Sequence, residues 1–464
     1  MAATLPSKPI RVPLTKWTFS MNPGPFNLKE HVLITIFANC GAGGVYAVYI
    51  ITIVKAFYKR KLNPLAAMLL AQTTQLLGYG WAGLFRKYLV DSPFMWWPAN
   101  LVQVSLFSDI WQMWKRTTSA ARDKFADVHT RLMKKHYEAV PQWWFHIILV
   151  ATVALSIYAC EGFDKQLQLP WWGILLACAI ALFFTLPIGI IQATTNQQPG
   201  LNVITELIIG YMYPGRPLAN VAFKTYGYIS MSQALSFLAD FKLGHYMKIP
   251  PKSMFLVQLI GTVVASSVYF GTAWWLLTSV EHICDPSALP EGSPWTCPGD
   301  DVFYSASIIW GIVGPGKMFT KEGVYPALNW FFLVGLLAPV PIWFLSRKFP
   351  EIKWIGLIHI PIILGGTGNM PPARAVHYLS WAAVGIFFNY YVYRRFKGWW
   401  ARHTYILSAA LDAGVAFMGV FLFLTLQSYD IFGPHWWGLD STDHCPLATC
   451  PTAPGIVIEG CPVF

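Results

Sequence analysis

The chain has 464 residues, 55% hydrophobic and only 12% charged, with a mean hydropathy of +0.45. Soluble domains carry about 25% charged residues, so this composition excludes an ordinary soluble domain and points to a membrane protein. The net charge of +11 sits mainly in short loops between apolar segments, and no RNA- or DNA-binding motif accompanies it; it is read as topology charge, and a nucleic-acid partner is set aside.

From the N-terminus, residues 1–21 hold Pro6, Pro9 and Pro13 among scattered basic residues and lack the apolar core of a cleavable signal peptide, so insertion is expected to begin with the first span. Next comes Asn22-Pro23-Gly24-Pro25-Phe26-Asn27, where two prolines and a glycine forbid helix and Asn27 suits the N-cap of the helix that follows. It reads either as an elaborate helix start or as a broken-helix junction offering free backbone groups to a substrate carboxylate.

Apolar segments long enough to span, about 20 residues each, are expected near 32–54, 65–85, 143–163, 171–193, 254–280, 326–346, 375–393 and 404–426. Shorter pieces rich in Gly and Pro at 93–110, 201–213, 217–240, 302–314 and 354–370 read as re-entrant or discontinuous helices. The fold class is therefore an all-α polytopic membrane protein with roughly ten to twelve transmembrane or re-entrant helices. Its expected organisation is an N-terminal segment 1–30, a transmembrane domain 31–426 and an extracytoplasmic Cys-containing tail 427–464.

Loop charges give an orientation. Loops 55–61, 115–135, 242–252, 347–353 and 394–402 hold 21 of the 33 Lys and Arg, and loops 86–91, 161–169, 281–301, 316–322, 371–376 and 427–464 hold 6, so the first set is expected inside. Cys284 and Cys297 then share an outer loop and Cys445, Cys450 and Cys461 an outer tail, where disulfides are permitted; Cys40, Cys160 and Cys178 read as small core residues. On this scheme the first span runs from outside to inside and leaves Lys8, Arg11 and Lys16 outside, against the usual rule.

The stretch from Gly215 to Ser253 is the most unusual. It lies between apolar segments yet carries Lys224, Asp240, Lys242, His245 and Lys248, and polar chain at membrane depth is tolerated only against protein or a water-filled cavity. Glu206, in LNVITELIIGY, and Asp412, in SAALDAGVAF, are intramembrane carboxylates. Either binds a driving proton, or pairs structurally with Lys224, Arg216 or Arg374. Lys248-Ile249-Pro250-Pro251-Lys252 precedes a long span, and Gly365–Arg374 is a third Gly/Pro-rich junction. Repeated helix breaks favour a transporter. Neither HExxH nor GxSG is present, so an intramembrane enzyme ranks well below it.

These motifs carry a resemblance. NPGPFNLKEH at 22–31 resembles the NPG motif of the oligopeptide transporter family, and KIPPK at 248–252 its KIPPR motif, with Lys252 in place of the arginine. The resemblance extends through TTQLLGYGWAGLFRKYLVDSPFMWWPANLVQVSLF, NVITELIIGYMYPGRPLANVAFKTYGYISMSQALSFLADFKLGHYMKIPPKSMF and NMPPARAVHYLSW, and the tail is similar to plant members. Both motifs together resemble the peptide-transporter branch and not the yellow-stripe branch. The family has further helices ahead of the NPG motif, so the chain resembles the C-terminal two-thirds of a member.

The resemblance implies proton-coupled transport of short peptides, of tetra- or pentapeptide or glutathione-like size, or of peptide-like conjugates, with protons and the lipid bilayer as partners and the plasma membrane as location. It implies no cofactor. Asn22, Pro23 and Gly24 are expected to shape a helix break, Glu206 to bind a proton or substrate amine, and Lys224 to be its counter-charge or a carboxylate partner. Asp240, Lys248, Pro250, Pro251, Lys252 and Asp412 complete the expected pathway. The alternatives are transport of iron, copper or a metal chelate by the same fold, and a shortened form that transports nothing.

Overall fold

The computed structural model describes residues 8–11, 18–20, 28–107, 128–285, 287–290, 293, 295–320, 323, 325–352, 354–367, 375–429 and 431. The chain forms two compact units, Met1–Gly314 with Pro361–Pro372 and Pro315–Ile360 with Ala373–Phe464. Both are helical; the strands among the described residues are two short ones, β1 (Ile10–Arg11) and β2 (Thr18–Phe19), paired antiparallel. The NPG residues Asn22, Pro23 and Gly24, the junction 368–374 and the cysteines of the tail lie outside the described residues.

In the first unit the chain runs α1 (Leu28–Ala42), α2 (Ala47–Thr52, continued by a π turn Ile53–Phe57), α3 (Pro64–Leu89), α4 (Pro98–Phe107) and α5 (Val128–His136). It continues through α6 (Gln142–Glu161), α7 (Trp171–Thr195), α8 (Asn202–Met212) and α9 (Pro217–Lys224). A π turn, Thr225–Ile229, joins α9 to α10 (Ser230–Met247); α11 (Pro251–Ser279) and α12 (Pro298–Ser307, with a π turn Ile308–Val313) complete the unit.

The ends of these helices follow from local chemistry. Asn63 caps α3, its side-chain oxygen accepting from Leu65 N at 2.9 Å, with Pro64 at the first helical position and Arg86 and Lys87 in the last turn facing the negative end of the dipole. In KIPPK, Lys248 takes a left-handed conformation (φ 59°) that ends α10, Ile249 is fully buried, and Pro251 opens α11. The KIPPK motif is thus a helix–turn–helix corner.

The core is built around α3, which packs on α6, α10 and α11. Small residues let backbones approach, as is usual between membrane helices. A Cβ on Gly78 would stand 1.9 Å from Ser230 O, and one on Gly80 2.6 Å from Leu149 Cβ. Polar contacts tie the same helices together: Tyr226 Oη with Thr73 Oγ1 (3.0 Å), Gln72 Nε2 with Ser267 Oγ (2.8 Å) and Tyr79 Oη with Thr262 Oγ1 (2.7 Å).

The structure corrects the expected topology in two places. Lys242, fully buried, donates to Val90 O (2.7 Å) and Ser92 O (2.9 Å), Thr130 Oγ1 donates to Asp91 O (3.1 Å), and Lys29 Nζ donates to Tyr137 Oη (2.8 Å). The loop 86–92 and the start of α1 therefore share one end of the bundle with 242–252 and 128–138. At the other end Lys55 lies over the Trp274 ring (3.9 Å), Asn63 N donates to Gln166 Oε1 (2.8 Å), and Cys284 is bonded to Cys297. Loop 55–61 thus joins 161–169 and 281–301, so 55–61 and 86–91 exchange sides relative to the sequence reading. The sequence reading put 86–91 and 115–135 on opposite sides, whereas 86–92 and 128–138 meet at one end, so the chain makes no net crossing between them. The misplaced basic N-terminus disappears with this correction, because α1 starts at the end that carries 242–252.

A second correction concerns 217–240, expected as a short broken piece. Residues 217–247 form one helix, with a π turn inside it and a length of about 46 Å.

In the second unit, α13 (Pro315–Phe319), α14 (Asn329–Leu337), α15 (Pro339–Lys348), α17 (Ala375–Ile386), the single turn α18 (Tyr393–Arg395) and α19 (Lys397–Thr425) bury almost nothing; α16 (Ile360–Thr367) belongs mostly to the first unit. Residues 326–348 and 397–429 are long and apolar enough to span, and exposed apolar side chains are the ordinary state of a helix against lipid.

Gly78→Ala is expected to destabilise the detergent-purified protein by more than the 1–3 kcal/mol typical of overpacking, because backbone stands in the way. Gly43→Ala, with nothing within 4 Å, is expected to leave it nearly unchanged. Thermal melts of both variants check this.

Candidate functional site

Glu206 on α8 and Lys224 at the end of α9 form an ion pair, Nζ to Oε1 2.8 Å, with side chains 4% and 8% exposed. A charged residue at membrane depth needs such a partner, since an isolated one costs about 2.5–3.5 kcal/mol on insertion scales. The structure thus joins two of the sequence-predicted residues directly.

Three interruptions of regular helix converge around this pair. The first lies between α1 and α2, where Gly44 (φ 67°) breaks the helix and Tyr46 follows. The second lies between α8 and α9 at Gly215 (φ 76°), whose N–H donates to Gly311 O at 2.9 Å in the third, the π turn of α12 that stops at Gly314 (φ 79°). Gly311 is required here because a Cβ on it would lie 2.5 Å from Pro217 Cα. Asn220 bridges the same breaks, its Nδ2 donating to Glu206 O (3.1 Å) and Trp310 O (3.3 Å), while its buried Oδ1 has no partner among the described residues. Directly after Lys224 comes a π turn, a feature frequent at functional sites.

Aromatic rings wall the pair. The Lys224 ammonium lies 4.9 Å from the Phe303 ring centroid and 6.0 Å from that of Tyr46, and Tyr46 meets Phe303 (5.5 Å) and Tyr228 (6.3 Å) edge to face. The sequence reading missed Tyr46, Asn220, Tyr228 and Phe303. Gly43-Gly44 in the middle of the first span was the available signal for the break beside Tyr46; nothing in the sequence places Phe303 there.

Asp240 belongs to a separate polar cluster. It lies sixteen residues beyond Lys224 on the same helix, about 24 Å along the axis. Its carboxylate accepts from Gln258 Nε2 of α11 (2.9 Å) and more distantly from Asn39 Nδ2 of α1 (3.5 Å), and it has no ion-pair partner among the described residues. Cys40 and the Tyr79–Thr262 pair stand nearby. Asn39, Gln258 and Thr262 were not anticipated from sequence.

The remaining predicted residues do not join either cluster. Lys248 Nζ donates to His245 O (3.0 Å), Pro250 and Pro251 form the corner before α11, and Lys252 pairs at the surface with Glu138. Asp412 lies exposed on α19 in the second unit, without a described ion-pair partner, and Lys224, one of its expected partners, is taken by Glu206.

Comparison with known proteins agrees with this architecture. The profile described as OPT oligopeptide transporter protein matches residues 3–112 and 106–426. The chain belongs to the oligopeptide transporter family. It is 52% identical to Oligopeptide transporter 1 and 50% identical to Oligopeptide transporter 5 of Arabidopsis thaliana, in each case over 100% of this chain and 87% of the relative, and 38% identical to Oligopeptide transporter 3 over 100% and 88%. No solved structure matches. As a member of this family of transporters the chain is a multi-pass membrane protein and not an enzyme. The alignment to Oligopeptide transporter 1 runs over 655 positions against 464 residues here, so 191 of them hold no residue of this chain. The family profile matches in two segments that overlap at 106–112. The sequence reading had looked for missing length only ahead of the NPG motif.

Removing one partner of a buried pair leaves an uncompensated charge and costs about 3–5 kcal/mol. Glu206→Gln and Lys224→Met are each expected to lower the melting temperature sharply, and the double variant to recover much of the loss, as a double-mutant cycle on purified protein will read. The surface pair follows pH instead. Lys252 holds the Glu138 carboxyl below its ordinary value of 4.5, first by hydrogen bonding and then by charge. This contact is complete above that value and lost as pH falls through the lowered one. The difference in melting temperature between wild type and Lys252→Ala is therefore expected to be constant near neutrality and to vanish in acid.

Proposed function

We propose that the protein is a proton-coupled secondary transporter of short peptides, with the Glu206–Lys224 pair as its substrate site. The pair at the meeting point of three helix breaks carries this reading. A zwitterionic peptide brings one carboxylate and one ammonium. Lys224 takes the first and Glu206 the second, so the empty site and the occupied site are both charge-balanced, as burial requires. Unwound backbone at Gly215, Gly311 and Gly314, together with the unpartnered Asn220 Oδ1, supplies further polar groups for the peptide backbone. The rings of Tyr46, Tyr228 and Phe303 offer apolar surface to its side chains.

In this reading the proton is carried by Asp240. Glu206 is engaged by a cation at 2.8 Å, whereas among the described residues Asp240 faces the neutral donors of Gln258 and Asn39 and the hydroxyl and thiol of Tyr79 and Cys40. A carboxyl in such surroundings exchanges a proton without breaking an ion pair.

Orientation is part of the reading. The end with Arg86, Lys87, Arg131, Lys134, Lys135, Lys248 and Lys252 is cytoplasmic, and the end with the Cys284–Cys297 disulfide is outside. The family resemblance alone supports the plasma membrane.

The 191 unfilled positions favour a second reading, in which this shortened form carries nothing by itself. Expression of the chain alone in yeast deficient in peptide uptake decides between them. Tetrapeptide uptake that rises with external acidity is expected, with Asp240→Asn removing the pH dependence and Glu206→Gln raising the peptide concentration needed for half-maximal uptake. No uptake by well-folded, correctly inserted wild type establishes the second reading; uptake that is unaltered in Asp240→Asn removes that residue from the mechanism.

A further inference from the structure

At the end of the first unit that carries Lys248 there is a cavity of about 260 Å³, distinct from both the Glu206–Lys224 pair and the Asp240 cluster. Arg86 and Lys87 from the last turn of α3, Lys134 from α5 and the buried His245 of α10 line it; Asp91 is the single acid on its wall among the described residues. Lys134 and Tyr137 also line an adjoining open cleft with Lys135 and His136.

Two features show that the wall is short of negative charge. Arg86 is partly buried, its guanidinium 5.6 Å from the Phe241 ring centroid, and no side-chain hydrogen bond or salt bridge joins Arg86, Lys87 or Lys134 to a described residue, the Asp91 charge acting on Arg86 only at longer range. Guanidinium groups carry five donors, and buried donors are normally paired. The cavity is also bordered by the starts of two long helices, Gln142 of α6 and Pro251 of α11, which follow prolines and have no side-chain cap. Their first-turn N–H groups and positive dipole ends are open to an anion.

The geometry points to a binding site for a phosphate-bearing anion, and we infer that its occupant is the phosphomonoester headgroup of an anionic lipid. Position decides for a lipid. The cavity opens at the helix ends where headgroups lie, on the end that carries the basic loops, and basic pockets between transmembrane helices on the cytoplasmic side are a recurrent headgroup site. The lipid-source argument rests on the orientation given above; the anion site does not. His245, held by Thr130 Oγ1 at 3.3 Å, and Arg86 would contact the phosphate from opposite walls, with Lys134 closing the rim.

The test is a thermal-shift titration of the purified full chain with short-chain phosphatidic acid, short-chain phosphatidylcholine and inorganic phosphate. Phosphatidic acid is expected to raise the melting temperature saturably and phosphatidylcholine not to. Lys134→Gln, which alters only an exposed side chain, is expected to weaken the phosphatidic acid response about tenfold, the loss of one charge-assisted contact. Arg86→Gln should weaken it further and Arg86→Lys less. Inorganic phosphate competing at the concentration at which it shifts the protein by itself would keep the anion site and reassign its source to a soluble phosphate. Equal shifts with phosphatidylcholine, or an unchanged phosphatidic acid response in both Lys134→Gln and Arg86→Gln, would overturn the proposal. Peptide uptake need not be active for any arm, so failure here is separable from failure of the transport reading.

Discussion

Opposite charges buried at membrane depth constrain everything else in this protein. Glu206 and Lys224 sit 2.8 Å apart with almost no exposure, and neither is tolerable there without the other. Holding them in register requires α8 and α9 to approach closely, which the chain achieves by breaking helices instead of running them straight. Gly215, Gly311 and Gly314 provide the breaks, and Asn220 ties α8 to the π turn of α12 through Glu206 O and Trp310 O. The interruptions and the ion pair therefore depend on each other: the breaks permit the pair, and the pair, the amide and the rings of Tyr46 and Phe303 keep polar backbone away from lipid.

The same logic disposes of each other charge on the long helix 217–247. Asp240 meets two side-chain amides, Lys242 caps the chain after α3, His245 contacts Thr130, and Lys248 turns back on His245 O. What reads in sequence as a polar interruption is one helix whose charges are satisfied one by one at different depths. Two of them, Glu206–Lys224 and Asp240, differ in a chemically useful way, since one is an internal salt and the other a carboxyl among neutral donors. In the proposed reading, that difference separates a site for a zwitterion from a site for a proton.

The internal shortening bears on how complete this arrangement is. The core helices α3, α6, α10 and α11 are present and packed, and both polar clusters are assembled from residues of the first unit. The 191 positions without a residue of this chain lie within the alignment to Oligopeptide transporter 1. In the proposed reading, transport by this form turns on whether the walls of the pathway beyond the two clusters are closed.

Composition and hydropathy by themselves determined the class, the helical fold and most span positions, because twenty consecutive apolar residues leave the backbone no alternative to helix in lipid. The motifs identified the family, and lone Glu206 and Lys224 in apolar surroundings already called for partners. Only the tertiary structure decided that they are each other's partner, that Asp240 stands apart from them and Asp412 on another unit, and that KIPPK is a corner. It also reversed the sides of 55–61 and 86–91, because a count of loop charges does not record which loops touch, and 86–92 lies against 128–138 and 242–252. Contacts such as Phe303 against Lys224 join residues 79 positions apart. Periodicity along a chain records which face is buried and carries no information about what it is buried against.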